Sequence, residues 1–321
     1  MSVLVVGSVA LDDVETPAGR RSRTLGGACT YFATAASLYT DVRIVAVVGT
    51  DFPSEHLDFL RARGIDLQGL QVVEGKTFFW AGRYGADLNR AETLDTQLNV
   101  FADFHPLVPQ AWRRSEYVFL ANIDPELQIE VLQQMQRPRL TALDSMNFWI
   151  ASKKEALTRA LSLVDVVLLN EAEVKQFAGE PNLIMAARRL LALGPKALVI
   201  KRGEYGAMLV TQGDSLGESF FLVPAYPLER VVDPTGAGDT FAAGFMGYLA
   251  RSGGLSQAAL RRAVVHGTVV ASFTVEDFSI DRLRTLTLAE IQARYETFRQ
   301  LTYFAGSPAI ARAKLARPLA P

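Results

Sequence analysis

Cysteine is nearly absent from this 321-residue chain, where Cys29 stands alone. A disulfide framework is thereby excluded, and with only His56, His105 and His266 as imidazoles, far apart in sequence, no thiolate or imidazole metal motif is present. No charge of one sign dominates: 33 Lys+Arg stand against 34 Asp+Glu, a formal charge of -1, with no long basic run. The electrostatic footprint that a phosphodiester backbone requires is missing, so nucleic acid is not expected as a partner. Long hydrophobic runs are lacking too. The longest, such as Val3–Val6 and Ile44–Val48, reach about five residues, whereas a bilayer span needs roughly 20. No membrane span and, because the first apolar run leads directly to Asp12 and Asp13 without a basic segment before it, no secretory leader are expected; the expectation is a cytoplasmic protein. No Gly-x-Gly-x-x-Gly follows that first run, which argues against a dinucleotide-dependent oxidoreductase.

What is present is enough apolar material, 49% of residues, to bury a large core. Apolar runs bounded by turn signals recur at Val3–Val6, Ile44–Val48, Tyr117–Ala121, Leu140–Leu143, Val166–Leu169, Ala197–Ile200 and Ala207–Val210, each reading as a strand buried on both faces. Segments of helical spacing lie between them, for example Leu183, Ala187, Leu190 and Leu191. The alternation predicts an α/β fold with a doubly wound, mainly parallel sheet. Asp124–Pro125 reads as a cap with a proline at the first helical position, Thr287 with Glu290 as a capping box, and Gly64 as the stop of a helix begun at Pro53. Two stretches break the rhythm, about 14–24 and 76–98. The second reads as strands Thr77–Tyr84 and Ala91–Leu98 around a Gly85–Asn89 turn, and together they predict a small β lid inserted in one domain spanning 1–306, followed by a loosely ordered tail, 307–321.

The most informative stretch is Val231 to Phe245, VVDPTGAGDTFAAGF. A glycine-rich turn enters a segment without charge from Thr240 to Ala250, so the helix should be buried while its N-terminus presents the amides of Gly236, Ala237 and Gly238 to an anion. Asp239 sits at the same helix start. It reads either as a capping carboxylate or, ionised and favoured by the helix dipole, as a base of ordinary basicity for phosphoryl transfer.

These fifteen positions resemble the C-terminal signature of the ribokinase-like (PfkB) carbohydrate and nucleoside kinases, and the resemblance extends over about residues 1–300. It implies a ribokinase-like fold and an ATP- and Mg2+-dependent kinase that phosphorylates a primary hydroxyl of a sugar or of a nucleoside's ribose. On that resemblance Gly236, Ala237 and Gly238 form the anion hole, Asp239 is the catalytic base, and Asp233 and Thr235 match positions that hold a monovalent cation, K+, in some members. Asp12 and the Gly26–Gly27 pair match positions that bind the acceptor. Asn170 and Glu173 match an Asn-x-x-Glu motif whose glutamate organises Mg2+ through water, and Lys201, Gly203 and Gly206 match a strand-turn-strand segment under the ATP phosphates, with Thr235 also on the nucleotide side. His266 aligns approximately with a position near adenine, or is a core histidine.

The chain departs from the ribokinase pattern at Tyr31, where those enzymes carry an asparagine; its ring stacks on substrate or packs in the core. With Phe79, Arg83 and the Trp149 region near the lid, the pocket suits an acceptor larger than free ribose, such as a nucleoside. Asn122 and Asn147 follow strands and read as substrate contacts or as turn asparagines. A homodimer paired through the lid strands is expected from the resemblance. The rival function is a catalytically idle sugar or nucleotide sensor on the same fold.

Overall fold

The computed structural model of the protein describes residues 1–212 and 219–304; the expected tail, 307–321, lies outside the described residues. Among the described residues the strands are β1 (Ser2–Val6), β2 (Ala10–Thr16), β3 (Gly19–Gly26), β4 (Asp41–Gly49), β5 (Asp66–Val73), β6 (Phe78–Tyr84), β7 (Ala91–Gln97), β8 (Tyr117–Leu120), β9 (Leu140–Asp144), β10 (Val166–Asn170), β11 (Ala197–Lys201), β12 (Ala207–Thr211) and β13 (Ser219–Val223). The helices are α1 (Ala28–Ala36), α2 (Ser54–Ala62), α3 (Pro125–Gln134), α4 (Asn147–Ser152), α5 (Lys154–Ser162), α6 (Glu171–Ala178), α7 (Leu183–Leu191), α8 (Ala237–Ser252), α9 (Gln257–Thr274), α10 (Asp281–Thr285) and α11 (Leu288–Leu301).

Nine strands form one sheet in the order β13-β12-β11-β10-β9-β8-β1-β4-β5. Because side chains alternate along a strand, β1 feeds two cores: Val3 and Val5 pack with α1, α8 and α9 on one face, Leu4 and Val6 with α3, α5 and α7 on the other. This is the doubly wound arrangement the apolar runs predict. From β5 to β11 the pairings are parallel, but β12 is antiparallel to β11 and β13 to β12. An apolar run carries no direction; the turn 202–206 is too short for a parallel crossover, which needs roughly a dozen residues or more. The edge strands β5 and β13 escape the sequence reading because neither is buried along its length.

The remaining four strands form the separate lid sheet, β3-β2-β6-β7. It begins earlier than 14 and ends later than 24, running from Ala10 through Gly26, so Asp12 and Gly26 are lid-strand residues rather than loop residues. The predicted caps are present: the Asp124 carboxylate accepts from the Glu126 N–H with Pro125 at the first helical position, and Thr287 and Glu290 form a reciprocal box. The chain leaves β1 toward β4 on one side and returns to β8 on the other. The carboxyl ends of these strands therefore flank the crevice where ligands of open α/β sheets bind.

Candidate active site

Gly236 caps α8 in a left-handed conformation, φ 75°, and a Cβ there would lie 2.2 Å from the Tyr31 ring. Only glycine satisfies both conditions. The helix behind it is buried from Thr240 to Gly247, and Thr240 is pinned from α9 by the Thr274 hydroxyl at 2.8 Å, so the turn is held by the core. Of the three amides expected to face an anion, Ala237 N–H donates instead to Pro234 O at 3.1 Å. Among the described residues no hydrogen-bond acceptor pairs with the N–H of Gly236 or Gly238, which leaves these two as the open donors.

Lys201, at the end of β11, points into the same corner. Its Nζ pairs with the Asp144 carboxylate and lies 3.2 Å from where a Cβ on Gly238 would stand. Asp144, the last residue of β9 and 3% exposed, was not singled out from the sequence, although a carboxylate closing the apolar run Leu140–Leu143 at a C-terminal strand end was the available signal. Asn170 and Glu173 form a reciprocal capping box, with Asn170 N–H donating to Glu173 Oε2 at 2.7 Å and Glu173 N–H to Asn170 Oδ1 at 2.8 Å. The buried Glu173 carboxylate still interacts with Lys201, Asp144 and Asp239.

Burial, reinforced by the Asp144 carboxylate and opposed by Lys201, pushes Asp239 up to about 7. Burial likewise raises Glu173 to about 7 against the pull of Lys201. The sequence-based expectation of ordinary basicity for Asp239 is thus corrected: desolvation outweighs the helix dipole here. Lys201 is itself desolvated, yet Asp144 and Glu173 hold it above its ordinary value and charged. Three carboxylates around one ammonium leave an excess of negative charge beside a phosphate corner, a composition that suits a divalent cation. Among the described residues no three His, Cys, Asp or Glu converge as a self-sufficient metal cluster. Magnesium keeps much of its water and takes one or two carboxylates plus phosphate, so Glu173 fits as its holder.

On the acceptor side, Asp12 is 4% exposed and its Oδ2 lies 1.9 Å from where a Cβ on Gly26 would be, so the carboxylate rests directly on the Gly26 backbone. Burial and the neighbouring Asp233 raise it to about 8, against a hydrogen bond from the Gly27 amide. Asp233, 1% exposed, accepts from Thr235 N–H at 2.8 Å and Ser279 N–H at 3.0 Å. Thr235 Oγ1 also meets the hydroxyl of Tyr84 from the lid at 3.3 Å, a contact with no local sequence signature. The Tyr31 ring is 2% exposed and backs Gly236, while its buried hydroxyl lies near Ser279 and the acceptor-side carboxylates Asp12 and Asp233.

Other expected positions behave differently. Asn122 lies just beyond β8, with its Oδ1 buried and without a partner among the described residues. Asn147 is exposed and its Oδ1 accepts from Phe148 N–H, the local role of a turn asparagine. Arg83 is exposed and paired with Glu15 at 3.1 Å, both within the lid sheet. His266 stacks between Tyr248 and Tyr295, at centroid distances of 4.3 and 4.6 Å, and Nδ1 meets the Tyr39 hydroxyl at 3.1 Å. Both ring faces are covered, so it is a core histidine, kept neutral by burial with its pKa lowered to about 4, and not an adenine platform. Gly203 and Gly206 flank a one-turn helix after Lys201.

One pH dependence follows. In the roles the resemblance implies, Asp239 would have to be ionised to accept a proton and Asp12 to accept two hydroxyls, and both are raised, to about 7 and about 8. Activity is therefore lost as pH falls: kcat/KM, which reports the free enzyme, should drop through this window with a slope approaching two below it. A profile flat down to pH 5 would contradict these assignments, and Asp12→Asn should reduce the slope toward one.

A helix start with two open amides, a buried carboxylate beside it and a lysine across from it come together at strand ends of a doubly wound sheet, a set of groups that suits phosphoryl transfer. The pfkB family carbohydrate kinase model matches residues 2–282, and the chain belongs to that family. It is an ATP-dependent kinase that uses an alcohol group of a sugar or nucleoside as acceptor. It is 32% identical over 252 residues to a cytidine kinase of Thermococcus kodakarensis, covering 77% of this chain and 87% of the relative. In fold it is similar to the Methanocaldococcus jannaschii nucleoside kinase, TM-score 0.73, 21% identity, covering 92% and 98% of the two chains. It is also similar to a putative ribokinase II of E. coli solved with ATP and Mg2+, TM-score 0.74, 18% identity, covering 92% and 99%. No helix among the described residues is long and apolar enough to cross a membrane.

Proposed function

We propose that this kinase transfers the γ-phosphate of ATP to the primary hydroxyl of a nucleoside's ribose, with Asp239 as base. The observation that carries the reading is the convergence of Asp239, the open Gly236 and Gly238 amides and Lys201 on one corner, with Asp12 electrostatically coupled to Asp239 from the acceptor side. The likeness to a cytidine kinase supports a nucleoside over a free sugar.

In this reading Asp12 and the Gly26–Gly27 backbone orient the ribose hydroxyls, a carboxylate being able to accept two at once. Asp239 takes the proton of the attacking hydroxyl. The two open amides and Lys201 stabilise charge on the transferred phosphoryl oxygens, the larger share of catalysis in this chemistry. Glu173 would hold Mg2+ through water, and the ion would supply charge neutralisation on the phosphates. A monovalent cation at Asp233 and Thr235 is supported by a buried carboxylate that accepts from the Thr235 and Ser279 N–H groups and lies beside the Thr235 side chain. The 1–306 segment acts as one catalytic domain with its lid inserted. The exposed edge strand β7 supports pairing with the lid of a second copy, since an open edge offers unpaired backbone groups.

The test is ATP consumption against cytidine, other nucleosides, ribose and fructose, run in KCl and in NaCl. A nucleoside should give the highest kcat/KM. A free sugar as best acceptor would overturn the nucleoside assignment, and no ATP consumption with any acceptor would favour the idle sensor.

A further inference from the structure

The tip of the lid hairpin between β6 and β7 does not stand free. Asn89 Nδ2 donates to Glu204 Oε1 at 3.2 Å, and Glu204 N–H donates to Asn89 Oδ1 at 3.4 Å, across 115 positions of sequence. Asp87 Oδ1 accepts from Asn89 N–H at 3.0 Å and from Nδ2 at 3.1 Å, which fixes the direction of the carboxamide. A Cβ on Gly203 would lie 2.0 Å from Asn89 Oδ1, so the amide occupies room that glycine leaves open.

The turn it reaches, Gly203–Tyr205, follows Lys201 and Arg202, whose cations pair with Asp144 and Glu171. The same lid is tied to the segment entering α8 by Thr16 Oγ1 donating to Val232 O at 2.8 Å and by the Tyr84–Thr235 contact. It is therefore attached on both banks of the crevice. The outer attachment is exposed and made of neutral or singly charged groups, a contact weak enough to open and reform.

We propose that Asn89 is a positioning residue that latches the acceptor lid to the nucleotide-side turn, so that nucleotide binding favours the closed lid. Phosphates meeting Lys201 order the turn that follows it, and an ordered turn costs less to dock against. The coupling rests on the kinase reading above; the contact itself does not. By reciprocity the closed lid raises nucleotide affinity by the same factor.

The test is hydrogen exchange of the full chain with and without AMP-PNP and Mg2+, with nucleotide binding measured separately by calorimetry. In the wild type AMP-PNP should slow exchange of amides 85–90 by about fivefold or more, within the usual range of coupling between sites. Asn89→Ala should abolish that protection while still binding AMP-PNP; Glu204→Ala, which leaves the Glu204 N–H bond to Asn89, should weaken it, and Glu204→Gln, which keeps the acceptor oxygen, should retain it. A hairpin indifferent to nucleotide in the wild type, or still protected in Asn89→Ala, overturns the proposal. Failure of AMP-PNP to bind overturns the kinase reading instead. In that case the ligand-free comparison decides the latch alone: faster exchange at 85–90 in Asn89→Ala supports it, and equal rates refute it.

Discussion

Asp239→Asn should lower kcat by about 10²–10⁴-fold, the range over which a positioned general base acts, while Kd for ATP stays within a few-fold of wild type. Asparagine keeps the shape and can still sit at the start of α8, so the fold should be unaffected. It cannot accept the proton of the attacking hydroxyl. The direction of the Asp239 shift sharpens the expectation: with its pKa raised to about 7 by burial and Asp144, the carboxylate is poised near neutral pH rather than fully ionised. Stopped-flow or coupled measurement of kcat beside calorimetry of ATP binding separates the two effects. A variant turning over at a wild-type rate would remove Asp239 from the mechanism and leave it as a helix-start acid.

Gly236→Ala is expected to be nearly as damaging by a different route. A left-handed φ costs a non-glycine residue roughly 1–2 kcal/mol, and here the new methyl would also enter the Tyr31 ring, 2.2 Å away. The ring is buried and cannot retreat into solvent, so the turn itself must shift. If the open Gly236 and Gly238 amides serve the phosphoryl oxygens as proposed, displacing them removes those donors, a loss of about 10²–10³-fold in kcat. Thermal denaturation should fall together with kcat. Adding Tyr31→Ala relieves the clash but not the φ penalty, so the double variant should recover stability in part and activity little. Full recovery of both would show that the glycine serves only to make room for the ring.

These expectations differ in how much of them the sequence carried. The anion-hole turn, Asp239 and the buried helix behind them lie within fifteen consecutive residues, and local chemistry alone relates them: glycine for the turn, an acid at the helix start, no charge on the helix. The strands that build the main sheet were legible for the same reason, since burial on both faces writes a continuous apolar run. The capping box read at Thr287–Glu290 closes within three residues, and so does the one the structure shows at Asn170–Glu173. Edge strands β5 and β13, half exposed, carry no such run, and the antiparallel direction of β12 is set by the length of the connection before it.

What the tertiary structure decided is the set of relations between distant segments. Lys201 meets Asp144 across 57 positions and Tyr84 meets Thr235 across 151; neither pair leaves a trace in local spacing. How far Tyr31 and His266 are buried depended on which elements close over them, and both rings are covered. The basicity of Asp239 and Asp12 was likewise undetermined by residue type. The sequence determined which groups stand at the strand ends and helix start. Packing determined how dry those groups are and which charges they see, because desolvation and Coulomb energy depend on position in space and not on order along the chain.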